Sequence, residues 1–338
     1  MINIKNDYSE VAHPKVLEHI MAYSMQVNAP YGEDKHCLHA AQLIKGHLNR
    51  EVDIHFVSGG TLANILSMAA FLRPYQSIIA VETAHIADNE TGAIEGTGHK
   101  VITVEGEDGK MTPKEIEGVM SIYTHEHKTQ PALVYITNAT ELGTVYTKGE
   151  LIALREVCDE HGLLLYMDGA RLAAALTSEF SDISLGDLAE LTDAFFIGGA
   201  KNGLMFGEAL VLVNDRLKPD FRYMYKNRGA MFSKGFLMGM QFEVLFENDL
   251  YFELGRHANR MAALMAEGLL ARGIEFYKPR VTNQIFVRLS DEQIERLSEK
   301  FLFEVFQYPK DGKVVRFITT WSTTQETIDL LMDFLDGQ

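Results

Sequence analysis

The chain has 338 residues, a length that is enough for a sizeable core and typical of about two domains. Its formal net charge of −16 repels nucleic-acid phosphates and anionic lipid head groups, so neither a nucleic-acid nor a membrane partner is expected. The chain has only two cysteines, and no apolar run approaches the roughly 18 residues needed to span a bilayer. These features favour a soluble cytoplasmic protein without a disulfide framework.

The hydrophobic pattern predicts three regions. Residues 1–45 contain the turn-rich stretches NDYSEVAHP and APYGED, each followed by a helix, and are expected to pack on the large domain or on a neighbouring subunit. Residues 46–245 alternate helix-like stretches with the apolar runs DIHFV, SIIAV, VITVE, ALVYIT, LLLYM, DAFFIGG and EALVLV, which predicts an α/β domain with a mainly parallel sheet. Residues 246–338 predict a smaller α+β domain. Ligands of such a sheet bind beyond the carboxyl ends of its strands.

Two of these strand ends carry residues suited to pyridoxal phosphate. Asp168 and Arg171 follow the strand in LLLYMDGARL, and Lys201 follows the next strand in DAFFIGGAKNG. A lysine amine forms a Schiff base with this cofactor, and a carboxylate keeps the ring nitrogen protonated so that the ring accepts electrons. Taken singly, Asp168 is equally a helix cap and Lys201 a surface lysine.

Two further strand ends add to this pattern. In VSGGTLAN, the backbone amides of Gly59, Gly60 and Thr61 open a helix and form a candidate phosphate cradle, although a lone Gly-Gly is more often an ordinary turn. In ETAHIADNETG, His85 is a candidate to stack on the cofactor ring, and Glu90 lies within reach of the same site. A lone histidine in such a position is more often structural. The 12 histidines lack HExxH or other paired-ligand spacing, so no metal site is predicted.

Taken in order, GGTLAN, TAHIADNETG, YMDGARLAAAL and GGAKNG with GEALV resemble the threonine aldolase and β-eliminating lyase family of fold-type-I pyridoxal-phosphate enzymes. NDYSEVAHP, YGED and VVRFITTW extend the resemblance over nearly the whole chain. It implies an aspartate-aminotransferase-like fold with a seven-stranded sheet, and pyridoxal 5'-phosphate bound to Lys201. It also implies that Asp168 partners the ring nitrogen, that His85 stacks on the ring and that the turn at Gly59 to Thr61 holds the phosphate.

The resemblance also implies how an amino-acid substrate is held. Arg171 and Arg316 would grip the substrate carboxylate, assisted by Ser9, and the planar guanidinium of arginine suits two parallel hydrogen bonds to a carboxylate. The alternatives are an edge-strand arginine for Arg316 and a turn former for Ser9.

The chain departs from the family pattern at two places. Ala200 stands where many relatives have a serine or threonine hydroxyl beside the lysine, so phosphate binding must depend on other groups. The segment YKNRGAMFSKG replaces a glycine-rich stretch, and Arg228 or Lys234 is a candidate phosphate-binding cation for the same or a neighbouring subunit. In the resembling family the regions equivalent to this segment and to Tyr31 in YGED complete a neighbour's site, so the resemblance implies a homodimer or homotetramer with shared active sites; the alternative is that both are solvated loops.

The predicted reaction is cleavage of a β-hydroxy-α-amino acid, threonine or allo-threonine, to glycine and an aldehyde through an external aldimine and a quinonoid. The candidate bases are His85 and Glu90, and the sequence does not choose between them. The nearest alternative is a β-eliminating lyase acting on a cysteine or aromatic amino-acid derivative. A non-catalytic protein on the same fold is a second alternative, and a nicotinamide-binding protein is disfavoured because no GxGxxG follows the first strand.

Overall fold

The computed structural model describes residues 1–308 and 312–337, and its elements are numbered in chain order. The strands are β1 (Ile2–Asn3), β2 (Asp53–Val57), β3 (Gln76–Val81), β4 (Lys100–Val104), β5 (Gln130–Thr137), β6 (Leu164–Asp168), β7 (Ala194–Gly198), β8 (Glu208–Leu212), β9 (Glu275–Phe276), β10 (Gln284–Arg288), β11 (Phe301–Leu302), β12 (Glu304–Tyr308) and β13 (Gly312–Ile318). The helices are α1 (Pro14–Ala22), α2 (Lys35–Lys45), α3 (Gly60–Phe71), α4 (His85–Asp88), α5 (Pro113–Ile122), α6 (Lys148–His161), α7 (Leu172–Leu176), α8 (Leu185–Leu191), α9 (Phe221–Asn227), α10 (Phe236–Phe246), α11 (Leu250–Ala271), α12 (Asp291–Ser298) and α13 (Gln325–Asp336).

The large sheet has seven strands in the order β2-β8-β7-β6-β5-β3-β4. Strand β8 runs antiparallel to both of its neighbours, and the other six strands are parallel to one another. Every residue of β7 and of β8 is buried, because helices cover both faces of the sheet. The predicted α/β fold with a mainly parallel seven-stranded sheet is therefore confirmed. The carboxyl ends of six strands meet at one edge, where ligands of such sheets bind.

A second core lies in the C-terminal third of the chain. Its antiparallel sheet has the order β12-β13-β10-β9 and packs against α11, α12 and α13 through Ile285, Val315, Phe317 and Leu331, among other side chains. The amino terminus joins this part of the molecule, since β1 pairs in parallel with β11 and Ile4 is fully buried in the second core.

Helices α1 and α2 pack instead on α10 of the large sheet region. The contact between α2 and α10 is so close that a Cβ atom on Gly239 would come within 2.4 Å of the Cys37 backbone nitrogen. Helix α11 joins the two cores, because Leu254 belongs to the first and Met265 to the second. No helix in the described part of the chain is both long enough and apolar enough to cross a membrane.

Candidate active site

Lys201 lies just beyond the carboxyl end of β7 and lines a cavity of about 540 Å³ between the two cores. The backbone here is tightly packed, since a Cβ atom on Gly198 would come within 2.4 Å of the Ala170 carbonyl oxygen. Burial lowers the pKa of the Lys201 amine, and the neighbouring Arg171 guanidinium lowers it further. A larger neutral fraction makes this amine a better nucleophile than an ordinary lysine.

Asp168 is the last residue of β6 and is only 3% exposed. Its Oδ1 accepts a hydrogen bond from the Ala170 backbone nitrogen at 2.9 Å. Its Oδ2 accepts one from the Tyr135 hydroxyl at 2.6 Å and one from Asn64 Nδ2 at 3.2 Å. A carboxylate has about four acceptor positions, so three donors leave it able to accept one more proton donor.

A hydrogen-bonded chain connects Asp168 to His85. Asn64 Nδ2 donates to both Asp168 Oδ2 and Glu90 Oε1, the latter at 2.9 Å, and Glu90 Oε1 lies 2.9 Å from His85 Nδ1. The hydrogen bond to Glu90 raises the pKa of His85 against the opposing effect of burial. His85 lines the cavity and keeps a third of its side chain exposed, whereas the side chain of Glu90 is fully buried behind it.

The glycine turn opens α3 at the carboxyl end of β2. No side chain in the described part of the chain caps this helix, so the amides of its first turn stay available. Gly59 has an extended φ of 177°, and a Cβ atom there would meet nothing within 4 Å. Neither backbone conformation nor internal packing therefore requires glycine at this position, and Thr61 beside it is exposed.

Arg171 lines the same cavity, but most of its guanidinium is already engaged. Nε and Nη2 donate to the two carboxylate oxygens of Asp7 at 2.7 and 3.1 Å, and Nη1 lies 4.0 Å from Glu141 Oε2. The charges of Asp7 and Glu141 raise the pKa of Arg171 despite its burial, and Arg171 in turn keeps the pKa of Asp7 low against the same desolvation. The geometry thus makes Arg171 a link between the amino-terminal segment and β6.

Arg316 lies in β13 and enters the cavity from the opposite side. Its Nη2 donates to Glu304 Oε2 at 3.1 Å, while its buried Nε has no hydrogen-bond partner among the described residues. Burial lowers the pKa of Arg316, and the nearby Arg171 adds to this effect. An incompletely paired buried guanidinium is a ready partner for an incoming carboxylate.

Comparison with known proteins identifies the family. The model of the β-eliminating lyase family matches residues 12–292. The chain belongs to this family. The low specificity L-threonine aldolase of Pseudomonas aeruginosa is 34% identical over 304 residues, covering 88% of this chain and 86% of that protein.

Solved structures agree with this assignment. The threonine aldolase of Leishmania major has 45% sequence identity and a TM-score of 0.98, covering 100% of this chain and 99% of that chain. A variant of Thermus thermophilus aspartate aminotransferase has 15% identity and a TM-score of 0.73, covering 99% and 90%, and supports the fold alone. The protein is a lyase of this family rather than a non-catalytic protein on the same fold.

The remaining predicted site residues lie outside the cavity of the single chain. Ser9 is exposed and donates to Asn6 Oδ1 at 2.7 Å. Tyr31 is 40% exposed, and Lys226 Nζ lies 4.8 Å from its ring centroid. Arg228 and Lys234 are exposed.

Sequence reasoning missed several polar residues of the site. Asn64 and Tyr135 lie within apolar runs, so the sequence pattern predicts them to be core residues. Asp7 and Glu141 occur in polar stretches that do not follow a predicted strand, so nothing in the pattern indicates a site there. The sequence could have indicated Glu208 as a functional residue, because a carboxylate at the start of an otherwise apolar strand is unusual. Its Oε2 accepts from the Gly199 backbone nitrogen at 2.7 Å, and burial raises the pKa of Glu208 to about 8.

Proposed function

We propose that this lyase binds pyridoxal 5'-phosphate on Lys201 and cleaves a β-hydroxy-α-amino acid, such as threonine or allo-threonine, to glycine and an aldehyde. The observation that carries the proposal is one cavity lined by the Lys201 amine, the His85 imidazole and the Arg316 guanidinium. Relatives named as low specificity L-threonine aldolases support the choice of substrate.

The residues present fit this cofactor. Asp168 has a remaining acceptor position for the protonated ring nitrogen, and His85 lies on the wall of the cavity for stacking. The uncapped first turn of α3 and the open space beside Gly59 suit a phosphate, which needs backbone amides at close range. Since Ala200 has no hydroxyl, the amides of this turn and Thr61 are proposed to provide most of the phosphate contacts within the chain.

When bound, pyridoxal phosphate supplies an electron sink for the electron pair of the broken Cα–Cβ bond. The chain itself must remove the proton of the substrate β-hydroxyl as the aldehyde forms. His85 is the better candidate base, because its Nδ1 is held by Glu90 and its Nε2 is left for the substrate. Glu90 is proposed as a positioning residue, since its side chain is fully buried behind the imidazole.

Arg316 is proposed to bind the substrate carboxylate. Its unpaired Nε and its Nη2, once released from Glu304, would form the two parallel hydrogen bonds that a carboxylate accepts. Arg171 has only Nη1 available for the same carboxylate, because Asp7 occupies its other two donor positions. Ser9 would have to leave Asn6 in order to assist.

We propose in addition that the active site is completed in a cytoplasmic homodimer or homotetramer. The Tyr31 turn and the segment 225–235 lie against each other, since Tyr31 N donates to the Ser233 carbonyl oxygen at 3.3 Å. Arg228 and Lys234 of this segment are exposed, and Met25 and Val27, which precede the Tyr31 turn in sequence, are 92% and 96% exposed. Such a surface suits burial against a second copy that receives Tyr31, Arg228 and Lys234 at its own site.

Borohydride reduction followed by peptide mapping tests the attachment of the cofactor. The label is expected on Lys201, and a label on another lysine would overturn the assignment. Aldehyde release from the four threonine isomers should be lost in Lys201→Ala and retained in a Lys218→Ala control, since Lys218 pairs with Asp215 at the surface. Formation of a 2-oxo acid and ammonia instead of glycine and aldehyde would indicate β-elimination.

Subunit mixing tests the shared site. Tyr31→Phe and Lys201→Ala proteins, each expected to be inactive, are mixed under conditions that exchange subunits. Recovery of activity is expected, because some hybrid sites combine an intact Lys201 from one chain with an intact Tyr31 from the other. Sedimentation of an active monomer, or no recovery despite proven exchange, would contradict a shared site.

A further inference from the structure

A second cluster of titratable side chains lies away from the cavity, where α1 and α2 pack on α10. The carboxylate of Glu243, in α10, is buried and has three histidine contacts. His19 Nε2 lies 3.1 Å from Oε2, His36 Nδ1 lies 2.7 Å from Oε2, and His39 Nδ1 lies 2.9 Å from Oε1.

This is an unusual way to stabilise a buried carboxylate. Removing an ionised carboxylate from water is costly unless a cation or several donors compensate for it. Neither lysine nor arginine pairs with Glu243 in the described ranges, and its side-chain contacts there are imidazoles. A neutral imidazole is able to bind a metal ion through its unprotonated nitrogen.

We propose that Glu243, His19 and His36 bind a divalent transition-metal ion, most simply Zn²⁺, with His39 as the fourth ligand. One ligand atom from each of the first three residues lies within 4.8 Å of the others, and this candidate site is empty in the structure. Ligands of a tetrahedral zinc ion stand roughly 3.3 Å apart at the usual bond lengths. The separations of 2.7 and 3.1 Å to Glu243 Oε2 therefore need only small adjustments. His39 contacts the other carboxylate oxygen, Oε1, and lies outside this group of three, so its exposed side chain must turn to become the fourth ligand.

The surroundings of His36 suit a metal ligand. Gln26 Nε2 lies 3.1 Å from His36 Nε2, so the side-chain amide of Gln26 is already next to the second ring nitrogen. When Nδ1 binds a metal, Nε2 carries the proton and needs an acceptor. Rotation of the Gln26 amide by half a turn provides its oxygen for that purpose, and the Asn28 amide must rotate with it because Asn28 Oδ1 accepts from Gln26 Nε2 at 2.7 Å.

Access and selectivity also fit. The side chain of His39 is 47% exposed and that of His19 is 21% exposed, which gives the ion an approach from solvent. The side chains of His36 and Glu243 are only 4% and 6% exposed, so the bound ion is largely shielded. A donor set of three nitrogens and one carboxylate favours zinc, nickel or cobalt over magnesium or calcium.

The proposed ion would act on structure rather than on the lyase reaction. None of the four ligands is among the residues lining the Lys201 cavity. The ion would join α1 and α2 to α10 across more than 200 residues of sequence, since His36 and Glu243 are 207 positions apart. Binding to the folded state alone raises its stability.

The experiment uses the tag-free, cofactor-loaded protein after treatment with a chelator. Zinc sulfate is added, excess metal is removed by gel filtration, and the zinc content per chain and the melting temperature are measured. One zinc per chain and a higher melting temperature are expected, while magnesium sulfate at the same concentration should change neither. With Co²⁺, the visible absorption of a tetrahedral nitrogen and oxygen site should appear.

Variants test whether Glu243 and its three histidines bind the zinc. Glu243→Gln, His19→Ala and His39→Ala should each weaken zinc binding by more than about 10-fold, the scale on which even outer-shell changes act. If Glu243→Gln fails to fold, the two partly exposed histidines still give the answer. A His125→Ala/His127→Ala variant is the matched control, because it removes an exposed histidine pair with ring centroids 5.7 Å apart. Cluster variants that keep the zinc content and the rise in melting temperature of the wild type would overturn the proposal, as would a wild-type protein that retains no zinc.

Discussion

The Tyr135 hydroxyl donates a 2.6 Å hydrogen bond to Oδ2 of Asp168, and both side chains are buried. The bond holds the carboxylate at the carboxyl end of β6, beside the Asn64 amide that also reaches Glu90. Burial, and then the nearby charge of Asp168, keep the pKa of Tyr135 far above its usual range, so the phenol remains a donor. Tyr135 therefore positions Asp168 without reaching the cavity.

Replacing Tyr135 with phenylalanine should weaken both stability and cofactor binding. A hydrogen bond to a charged group contributes about 1.5 to 3 kcal/mol, so the free energy of unfolding should fall by that order. The dissociation constant of pyridoxal phosphate should rise because Asp168 loses its fixed orientation. Chemical denaturation and absorbance titration with the cofactor measure the two effects.

Tyr146→Phe provides the matched control for this change. The Tyr146 hydroxyl is also buried and accepts a 2.6 Å hydrogen bond from the Met111 backbone nitrogen, and Tyr146 does not line the Lys201 cavity. This variant should lose stability but keep its cofactor affinity. Equal losses of cofactor affinity in the two variants would remove the positioning role of Tyr135.

The fold was largely predictable because each of the seven strands is an apolar run of the length a buried strand requires. The strand-end motifs identified Lys201, Asp168 and His85, which the structure gathers at one edge of the sheet. The parallel pairing of β1 with β11 had no such signal, since two residues carry no periodicity. It joins the amino terminus to the second core.

The polar partners within the site were less predictable. Tyr135 occupies a strand whose pattern is explained by burial alone, and only the pairing of β5 with β6 directs its hydroxyl to Asp168. Asp7 and Arg171 are 164 residues apart, so their ion pair depends on the path of the amino-terminal segment. Local sequence patterns carry no information about such contacts.

Arg316→Lys should raise the KM for the amino acid with little change in kcat. Loss of a two-pronged, charge-assisted interaction costs about 1.5 to 3 kcal/mol, which corresponds to a roughly 10- to 100-fold weaker apparent affinity. The cofactor spectrum should be unchanged, because Arg316 is not proposed to hold the cofactor. An unchanged KM would exclude Arg316 as the carboxylate anchor.

Glu304→Gln should have the opposite effect. Glu304 competes with the substrate for the Arg316 guanidinium, and its negative charge repels the substrate carboxylate. A partly exposed ion pair contributes about 1 kcal/mol or less, so the KM should fall by up to roughly fivefold. Glu275→Gln, which breaks the peripheral contact of Glu275 with Arg288 at 3.2 Å, is the control and should leave the KM unchanged. A higher KM in Glu304→Gln would mean that Glu304 positions Arg316 rather than blocking it.

The pair of His85 and Glu90 should make stability depend on pH. Glu90 raises the pKa of His85 in the folded state above its ordinary value, so the pair stabilises the fold fully below about pH 6.5. This contribution is lost as the pH rises through the raised folded-state pKa. The difference in melting temperature between the wild type and Glu90→Gln should therefore be larger at pH 6 than at pH 8.5.

An exposed pair serves as the control for that measurement. His161 Nε2 lies 3.0 Å from Glu117 Oε1 at the surface, where solvent screens the interaction. Glu117→Gln should give a much smaller difference between the two pH values.

In the same series, the pH at which the activity of Glu90→Gln falls on the acidic side should move down, because His85 then loses its proton more easily. If the pH of this acidic fall in activity does not change in Glu90→Gln, His85 is not the base.

Gly59→Ala separates a requirement for ligand binding from a requirement of the fold. Gly59 has an extended φ of 177° and open space where a Cβ atom would lie, so alanine should cost little stability. The added methyl group would instead occupy the approach of a phosphate to the amides of the first turn of α3, and the cofactor dissociation constant should rise by about 10-fold or more, the equivalent of about 1.4 kcal/mol. Gly118→Ala is the matched control, because Gly118 also has open space for a Cβ atom but lies in α5, away from the cavity. That substitution should raise stability slightly through helix propensity and leave cofactor binding unchanged. If Gly59→Ala binds the cofactor as tightly as the wild type, the phosphate lies elsewhere, and the cations of the segment 225–235 become the leading candidates to hold it.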